Sequence, residues 1–236
     1  MKITLFAVGT IVDVNLFLAL ALGLRNLGHR IVLVVPDRHK DYANQYETVV
    51  RSWKNPLHNE MIAICRDGDA MIIHPTLAFE AAVVSEKLRM PFMFAASVPY
   101  FPGVASFSSP RVSPVGLLSR LPDRWLAYRF NKRKTREMND WRVRLGMQPF
   151  RSSCLKQLER QRFPVLHAYS PTLLPLPRES GEHHFISGVI GLPRSRHLAP
   201  VGLQPKLRDE LMAWLDSGSP PVYFGASSLP PHMTAK

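Results

Sequence analysis

Apolar residues near the start of the chain occur in two continuous runs, and a stretch with helical spacing separates them. The runs at residues 3–8 and 31–35 are short and rich in β-branched side chains, which is typical of strands buried on both faces. Between them four leucines recur every three or four residues, as on one face of a helix: Leu16, Leu20, Leu24 and Leu27. Gly9 ends the first run, and Asp13 stands where a helix takes its N-cap. The pattern predicts a βαβ unit of parallel strands, with residues 9–13 at the functional carboxyl edge of the sheet.

The same alternation continues through most of the chain. Further apolar runs have strand length: residues 70–74, 91–96, 164–169 and 184–187. Stretches of helical character lie between and after them: residues 42–53, 59–66, 76–88, a basic segment ending near 145, 153–161 and 206–215. Strands that alternate with helices indicate an α/β fold, here a Rossmann-like parallel sheet flanked by helices.

The residues after the first strand form a motif, Gly9-Thr10-x-x-Asp13-Val14, followed by Phe17-Leu18-Ala19-Leu20-Ala21 and Gly28-His29-Arg30. This motif resembles the opening of family 1 glycosyltransferases of the GT-B fold, in the branch of bacterial and fungal enzymes that glycosylate sterols, glycopeptides and polyketides. That branch usually reads G-T-R-G-D-V-x-P-F-L-A-L-A, so Ile11, Val12 and Leu16 replace an Arg, a Gly and a Pro. The resemblance implies the N-terminal, acceptor-binding half of a GT-B fold, with the C-terminal half missing.

The resemblance also implies a site at the turn after the first strand. Asp13 falls on the acidic residue that serves as general base in that branch, and Gly9, Thr10 and Val14 lie beside it as acceptor-binding residues. From the residues alone, a structural N-cap is the competing interpretation of Asp13. A proline-rich loop at residues 99–122 is implied to form an apolar wall for the acceptor, through Tyr100, Phe101 and Phe107. Ordinary packing of these rings on the domain is the alternative.

The resemblance divides the chain into three parts. Residues 1–192 are the expected acceptor-binding domain, residues 193–219 a linker with a helix, and residues 220–236 the truncated start of a second domain. The sequence PPVYFGASS in the last part is similar to P-P-V-Y-V-G-F-G-S, which opens the nucleotide-sugar-binding half in the family. The interval between Pro36 and Ala70 is shorter than is usual in the family, so we expect a strand to be missing or compressed there.

The implied reaction is an inverting sugar transfer from a UDP- or dTDP-sugar to a hydroxyl group of a lipophilic acceptor. The nucleotide sugar is a substrate, and no cofactor is expected. Because the motifs that hold the donor are absent from these residues, we expect the chain to be inactive alone and to need a separate nucleotide-sugar-binding subunit. The alternative is a non-catalytic module that binds an apolar ligand, a partner subunit or an anionic membrane surface.

The positive charge is the most unusual bulk property of the chain. The formal net charge is +12, and residues 120–144 carry nine basic residues against three acidic ones. Aromatic residues are interleaved with them, so contact with an anionic membrane surface competes with a merely solvated helix face. The candidate contact residues are Arg124, Trp125, Arg129, Lys132, Arg133 and Lys134. Nucleic acid is not an expected partner, because no nucleic-acid module is recognised.

Several other function classes find no support in the sequence. Two cysteines do not make a disulfide framework, so we expect a cytoplasmic protein, attached to a membrane only peripherally. The longest nearly unbroken apolar run, residues 16–24, is far shorter than the ~20 residues that span a bilayer. Metal-ligand spacing, the G-x-S-x-G elbow of hydrolases and the G-x-G-x-x-G fingerprint of dehydrogenases are absent. His74, at the end of a predicted strand, is interpreted as a hydrogen-bonded core residue.

Overall fold

The computed structural model describes residues 1–46, 49–53, 58–100, 121–172, 175, 181–192 and 205–219. Contacts along the chain divide it into two compact units, Met1–Gly191 and Leu192–Lys236. The first unit contains the sheet. In the second unit the described residues form one helix, α7 (Pro205–Asp216), at the position where the sequence predicts one. Residues 193–204 of the predicted linker and the segment at residues 220–236 lie outside the described residues, so the roles given to the linker and to that segment stay predictions.

A fully parallel sheet runs through the first unit. Within the described residues its strands are β1 (Lys2–Phe6), β2 (Arg30–Pro36), β3 (Val49–Trp53), β4 (Ala70–Ile73), β5 (Phe92–Ala96), β6 (Val165–His167) and β7 (His184–Ile186). Their order across the sheet is β3-β2-β1-β4-β5-β6-β7, and every neighbouring pair is parallel. The chain leaves β1 towards β2 and leaves β4 towards β5. The topological switch point, where open parallel sheets place their ligands, therefore lies between β1 and β4.

The helices of this unit connect consecutive strands. They are α1 (Ile11–Asn26), α2 (Lys40–Asn44), α3 (His58–Cys65), α4 (Ala78–Leu88), α5 (Leu121–Arg144) and α6 (Cys154–Gln161). Helix α4 contacts α3, α5 and α6. Right-handed crossovers place these four helices on one face of the sheet and place α1 and α2 on the other. This arrangement confirms the predicted α/β fold with helices flanking a parallel sheet.

Burial explains why the strands are apolar without interruption. Leu5, Phe6, Leu33 and Val34 are completely buried, because helices cover both faces of the sheet. In α1 the prediction of a helix is confirmed, but its buried face is centred on Val14, Phe17, Leu18 and Ala21, whereas Leu27 is largely exposed. The predicted row of leucines therefore lies along one side of the buried stripe.

The prediction for residues 42–53 is wrong. Helix α2 ends at Asn44, and β3 occupies Val49–Trp53 as the strand at the edge of the sheet. Val32 to Pro36 of β2 pair in register with Val49 to Trp53. This pairing with β2 outweighs the weak helical pattern of the segment, and β-branched Val49 and Val50 favour it. Of the two expectations for the interval between Pro36 and Ala70, a missing or a compressed strand, the first is wrong, because a short strand of five residues is present.

Helix α5 packs through one side against α4 and α6. Met138 and Trp141 are completely buried there, next to the larger hydrophobic cluster that includes Phe94. Arg142 is buried as well, because its guanidinium donates to both carboxylate oxygens of Glu86 at 2.7 and 2.8 Å. In the part of the chain that the structure describes, no helix is both long enough and apolar enough to cross a bilayer.

Candidate functional site at the carboxyl edge of β1 and β4

The turn between β1 and α1 brings the predicted site together. The N-cap of α1 is Thr10, not Asp13, because the helix begins at Ile11. Asp13 is the third helical residue, and its Oδ2 accepts hydrogen bonds from the backbone N–H of Thr10 at 2.8 Å and from the Thr10 hydroxyl at 3.2 Å. The Asp13 side chain therefore closes a capping box. The prediction that Asp13 is the N-cap is therefore wrong by three positions: Thr10 is the N-cap, and Asp13 is the N3 residue of the capping box.

Gly9 is required by the geometry of this turn. Its φ of +118° is unfavourable for residues with a side chain, and a Cβ added there would overlap Asp13 Oδ2. The carbonyl oxygen of Gly9 accepts a hydrogen bond from Arg38 Nη2 at 2.6 Å, from the turn that follows β2. Gly9 thus makes room for the carboxylate, while Arg38 holds the backbone of the turn in place.

The other carboxylate oxygen of Asp13 faces two neighbouring strands. Its Oδ1 accepts a hydrogen bond of 2.9 Å from the hydroxyl of Ser97, directly after β5. His74, directly after β4, places its Nε2 3.7 Å from the same oxygen. Residues that follow three parallel strands therefore meet at one carboxylate. One oxygen of Asp13 caps the helix, and the other points into the switch point.

The orientation of His74 is fixed from its far side. Its Nδ1 accepts a hydrogen bond from the backbone N–H of Thr76 at 3.4 Å, and its ring lies 6.3 Å from the buried ring of Phe17. An imidazole that accepts at Nδ1 carries its proton on Nε2. That proton faces Asp13. His74 is therefore a partner of Asp13, whereas we expected a core histidine; its position after the strand next to β1 is the signal that could have revealed it.

These contacts set the charge of Asp13. Burial alone would raise the pKa of its carboxyl group, but hydrogen bonding to His74, the Thr10 N–H and Ser97 outweighs burial and lowers the pKa to about 2. Asp13 is accordingly an anion throughout the physiological pH range. It offers a fixed negative charge and a hydrogen-bond acceptor at the edge of the sheet.

Exposed apolar residues lie next to Asp13 and Ser97 in the sequence. Val12, at the start of α1, is 58% exposed, and Val98, directly after Ser97, is 59% exposed. Ile11 is exposed as well. Because Asp13 and Ser97 are joined by a hydrogen bond, these three residues lie at the same edge of the sheet. We call them the apolar rim. The site thus places the apolar rim near a carboxylate, and a binding site for lipophilic hydroxyl compounds needs both features.

Comparison with known proteins gives this geometry a family context. No family model matches the chain. The chain is 26% identical to the O-mycaminosyltylonolide 6-deoxyallosyltransferase of Streptomyces fradiae, over 97% of this chain and 61% of that protein. It is 25% identical to a sterol 3-beta-glucosyltransferase of Arabidopsis thaliana, over 98% of this chain and 41% of the relative. The sequence relatives of this chain are glycosyltransferases.

Solved structures agree on the fold. The calicheamicin glycosyltransferase CalG4 superposes with a TM-score of 0.55 at 13% identity, over 80% of this chain and 53% of CalG4. The glycotransferase of kitacinnamycin gives a TM-score of 0.56 at 14% identity, over 83% of this chain and 53% of that structure. The chain has the α/β fold of GT-B glycosyltransferases, consistent with their N-terminal domain. It spans between about two fifths and three fifths of the length of the two sequence relatives described above.

Two of the predicted acceptor-binding residues of this glycosyltransferase fold are not on the rim. Val14 is completely buried under α1, so its visible role is packing. Tyr100 packs edge-on against Phe94 at 5.3 Å between ring centroids, and burial raises its pKa. Both residues therefore take part in packing. Phe101 and Phe107 lie outside the described residues.

The predicted contact residues of α5 also separate into two groups. Arg129, Lys132 and Arg133 are exposed. Lys134 is not available in the same way, because its Nζ lies 2.7 Å from Glu80 and 3.1 Å from Glu137. These two ion pairs argue against the predicted role of Lys134 as a surface contact. The side chains of Arg124 and Trp125 lie outside the described residues.

A second polar cluster lies at the far end of the sheet. The rings of His167 and His184 stack, with Nε2 of His167 2.9 Å from Nδ1 of His184. Burial, together with the charge of a neighbouring histidine, lowers the pKa of each ring to about 4; that neighbour is His184 for His167 and His183 for His184. The pair is therefore neutral at physiological pH. Over the ranges that the structure describes, no group of three or more His, Cys, Asp or Glu residues could hold a metal ion.

Proposed function

We propose that this chain is the acceptor-binding part of an inverting glycosyltransferase that uses a UDP- or dTDP-sugar and a lipophilic hydroxyl acceptor of the sterol or macrolide class. The observation that carries the proposal is the ionised carboxylate of Asp13 at the switch point, beneath an apolar rim. The sterol and macrolide glycosyltransferases among the relatives support the substrate class. The nucleotide sugar is the donor substrate, and the proposal requires no cofactor.

In the proposed reaction Asp13 is the general base. As the acceptor oxygen attacks the anomeric carbon, its hydroxyl proton moves to Asp13 Oδ1, and the bond between the sugar and the nucleoside diphosphate breaks with inversion. Oδ1 suits this role because Oδ2 is already committed to the cap of α1. A carboxylate oxygen can accept two hydrogen bonds, and both Ser97 and His74 already face Oδ1, so the acceptor hydroxyl would replace the bond from Ser97.

His74 and Ser97 are proposed as positioning residues. Both direct a donor at Oδ1, so they orient the carboxylate and hold it ionised before the acceptor arrives. A carboxylate with a pKa of about 2 is a weak base in water. A donor-binding domain that covered the edge would exclude water, and further desolvation would raise the pKa towards a more effective value.

The roles of residues 193–236 are proposed from their positions in the chain. We assign residues 193–219 to a linker and residues 220–236 to the start of a nucleotide-sugar-binding domain. The rest of that domain would come from a longer form of the chain or from a separate subunit. We place the protein in the cytoplasm, where nucleotide sugars are the donors.

Acceptor binding by the 236 residues tests the proposal. A macrolide lactone and a sterol should bind saturably, and Val98→Asp should weaken binding by roughly 10-fold or more, since it places a charge on the apolar rim. Val143→Asp, on an exposed valine of α5, is the matched control and should leave binding unchanged. Equal losses in the two variants, or no saturable binding of either compound, would contradict the proposal.

The same residues should release no nucleoside diphosphate when they are given UDP- or dTDP-sugars with these acceptors. This expectation follows from the proposed assignment of donor binding to another domain. Turnover that depends on Asp13 in the isolated 236 residues would overturn it.

A non-catalytic binding module is the second candidate function. The observation that favours it is the apolar pair Ile11 and Val12, which replaces an Arg and a Gly at the mouth of the site. Such a module would bind the same compounds through the rim, with a partner subunit or a membrane surface as the alternative ligand. Asp13→Asn distinguishes the two functions, because it removes the proton acceptor while it leaves the apolar contacts in place. In a catalytic protein that includes a donor-binding domain it should abolish sugar transfer, whereas in a binding module it should leave ligand affinity nearly unchanged.

A further inference from the structure

We propose that the solvent-facing side of α5 docks on an anionic lipid surface. The inference rests on α5 alone and is independent of the sugar-transfer proposal. Its starting point is the fixed rotation of the helix. Met138, Trp141 and Arg142 face the domain and are buried, and Lys134 is tied to Glu80 on the same side. The opposite side of α5 is therefore directed into solvent.

The solvent-facing side carries mainly positive charge. At 100° per residue, the positions opposite the buried side are occupied by exposed basic residues. We call them the basic face: Arg129, Lys132, Arg133, Arg136 and Arg144. Asp140 is the exposed acidic residue among them, and Glu137 lies 3.1 Å from Lys134. The positive charge offered to an external partner is therefore mainly that of Lys132, Arg133, Arg136 and Arg144.

Two aromatic rings flank the basic face at its first described turn. Tyr128 is 62% exposed and Phe130 is 51% exposed, one on each side of Arg129. Basic residues with flanking aromatic rings are the combination that binds the interfacial region of anionic membranes.

The shape of the surface favours a membrane over a nucleic acid. Sequence-tolerant binders of single strands hold the phosphate backbone in a positive groove and stack bases on an aromatic platform. The basic face is the convex side of one helix, and its two rings lie on opposite flanks. A convex helix can lie along a planar headgroup layer, with its basic side chains directed at the lipid phosphates and one ring at each margin of the contact. The chemistry of the partner is therefore that of an anionic phospholipid bilayer.

Vesicle co-sedimentation tests the proposal with the full 236-residue chain. Vesicles of phosphatidylcholine with roughly one third phosphatidylserine should bind the chain, and pure phosphatidylcholine vesicles should not. The variant Lys132→Glu, Arg133→Glu, Arg136→Glu should bind the anionic vesicles roughly 100-fold more weakly or worse. Each basic residue near an anionic surface raises the affinity roughly fivefold, and the variant replaces three of them with acidic residues. Raising the salt from low to physiological concentration should also weaken the binding of the wild-type chain to these vesicles, because salt screens exposed charges.

A matched variant separates this face from the overall charge. Lys40→Glu, Arg66→Glu, Lys156→Glu changes the net charge by the same amount at exposed positions of α2, the end of α3, and α6. It should keep most of the binding. Circular dichroism must show that both triple variants are folded. Equal losses in the two variants would contradict docking through α5, as would equal binding to neutral and anionic vesicles or binding to neither.

The aromatic flanks provide an independent test. Tyr128→Ser with Phe130→Ser leaves the charge intact and should weaken binding to anionic vesicles roughly 10-fold, because two interfacial rings are lost. A single-stranded oligonucleotide should bind more weakly than the vesicles. Tighter binding to the oligonucleotide, or no effect of the two ring substitutions, would overturn the assignment to a lipid surface.

Discussion

Two carboxylates occupy equivalent positions at the starts of two helices. Asp13 is the third residue of α1, which follows β1, and Glu80 is the third residue of α4, which follows the neighbouring strand β4. Both are shielded from water, with 17% and 6% of their side chains exposed. Their partners differ. Asp13 faces a hydroxyl and an imidazole, whereas Glu80 faces the ammonium group of Lys134 at 2.7 Å.

This difference indicates which of the two carboxylates, Asp13 or Glu80, can exchange its partners. A lysine beside a buried carboxylate is held by charge, and hydrogen bonding to Glu80 raises the pKa of Lys134 although burial opposes this. Removing such a partner leaves an uncompensated buried charge. A serine hydroxyl can rotate away from Asp13 at little cost, and the apolar rim beside Asp13 is open to solvent. We therefore interpret Glu80 as structural and Asp13 as functional.

The largest expected effect is on catalysis. In a form of the protein that includes a donor-binding domain, Asp13→Asn should lower kcat by roughly 100- to 10,000-fold, the usual contribution of a general base. Glu80→Gln is the counterpart and should change kcat by less than about threefold at a temperature where it is folded. Steady-state sugar transfer measures both. A comparable loss of kcat in the two variants would erase the distinction between them.

Stability should show the opposite ranking. Lys134→Met should lower the free energy of unfolding by about 2–3 kcal/mol, because it leaves Glu80 buried without its cation. Lys132→Met, on the exposed side of the same helix, should change it by about 0.5 kcal/mol or less. Urea unfolding followed by circular dichroism compares them. Glu80→Leu combined with Lys134→Met should recover most of the loss, and failure to recover would argue against an ion-pair origin.

The turn that holds Asp13 has its own sensitive position. Gly9→Ala should cost about 2 kcal/mol and displace the carboxylate, because the added Cβ overlaps Asp13 Oδ2 at an unfavourable φ. Gly188→Ala also places a side chain at positive φ, but in open space, and should cost about 1 kcal/mol. Unfolding free energies measure the costs, and an acceptor-binding titration reports the displacement. Equal costs with intact binding would show that Gly9 does not shape the site.

The smallest effect is a pH dependence. The pKa of Asp13 is about 2 in the folded chain against an ordinary value of 3.8, so ionised Asp13 stabilises the fold above pH 3.8. This contribution is lost as the pH falls through 2. Because solvent screens part of this interaction, we expect about 1 kcal/mol. Between pH 4 and 2 the wild type should lose that much more unfolding free energy than Asp13→Asn. Parallel losses would contradict the lowered pKa.

The sequence predicts the fold better than it predicts the site. Continuous apolar runs such as residues 31–35 are sufficient to identify buried parallel strands, whereas β3 escaped prediction because its stability depends on pairing with β2. Asp13 and Gly9 could be predicted because the motif is local. His74 and Ser97 could not, since they lie 61 and 84 residues from Asp13 and meet it only through the strand order. The prediction for Lys134 failed for the same reason, because Glu80 is distant in sequence.

The most direct test of the central claim is the NMR signal of the Asp13 carboxyl carbon during titration with an acceptor. A hydroxylated macrolide or sterol should shift this signal together with those of Ser97 and His74, because its hydroxyl binds Oδ1. The O-methyl ether of the same compound should contact the apolar rim and leave the Asp13 carboxyl signal nearly unchanged. If both compounds bind and neither perturbs Asp13, then Asp13 does not receive the acceptor hydroxyl, and the account is wrong.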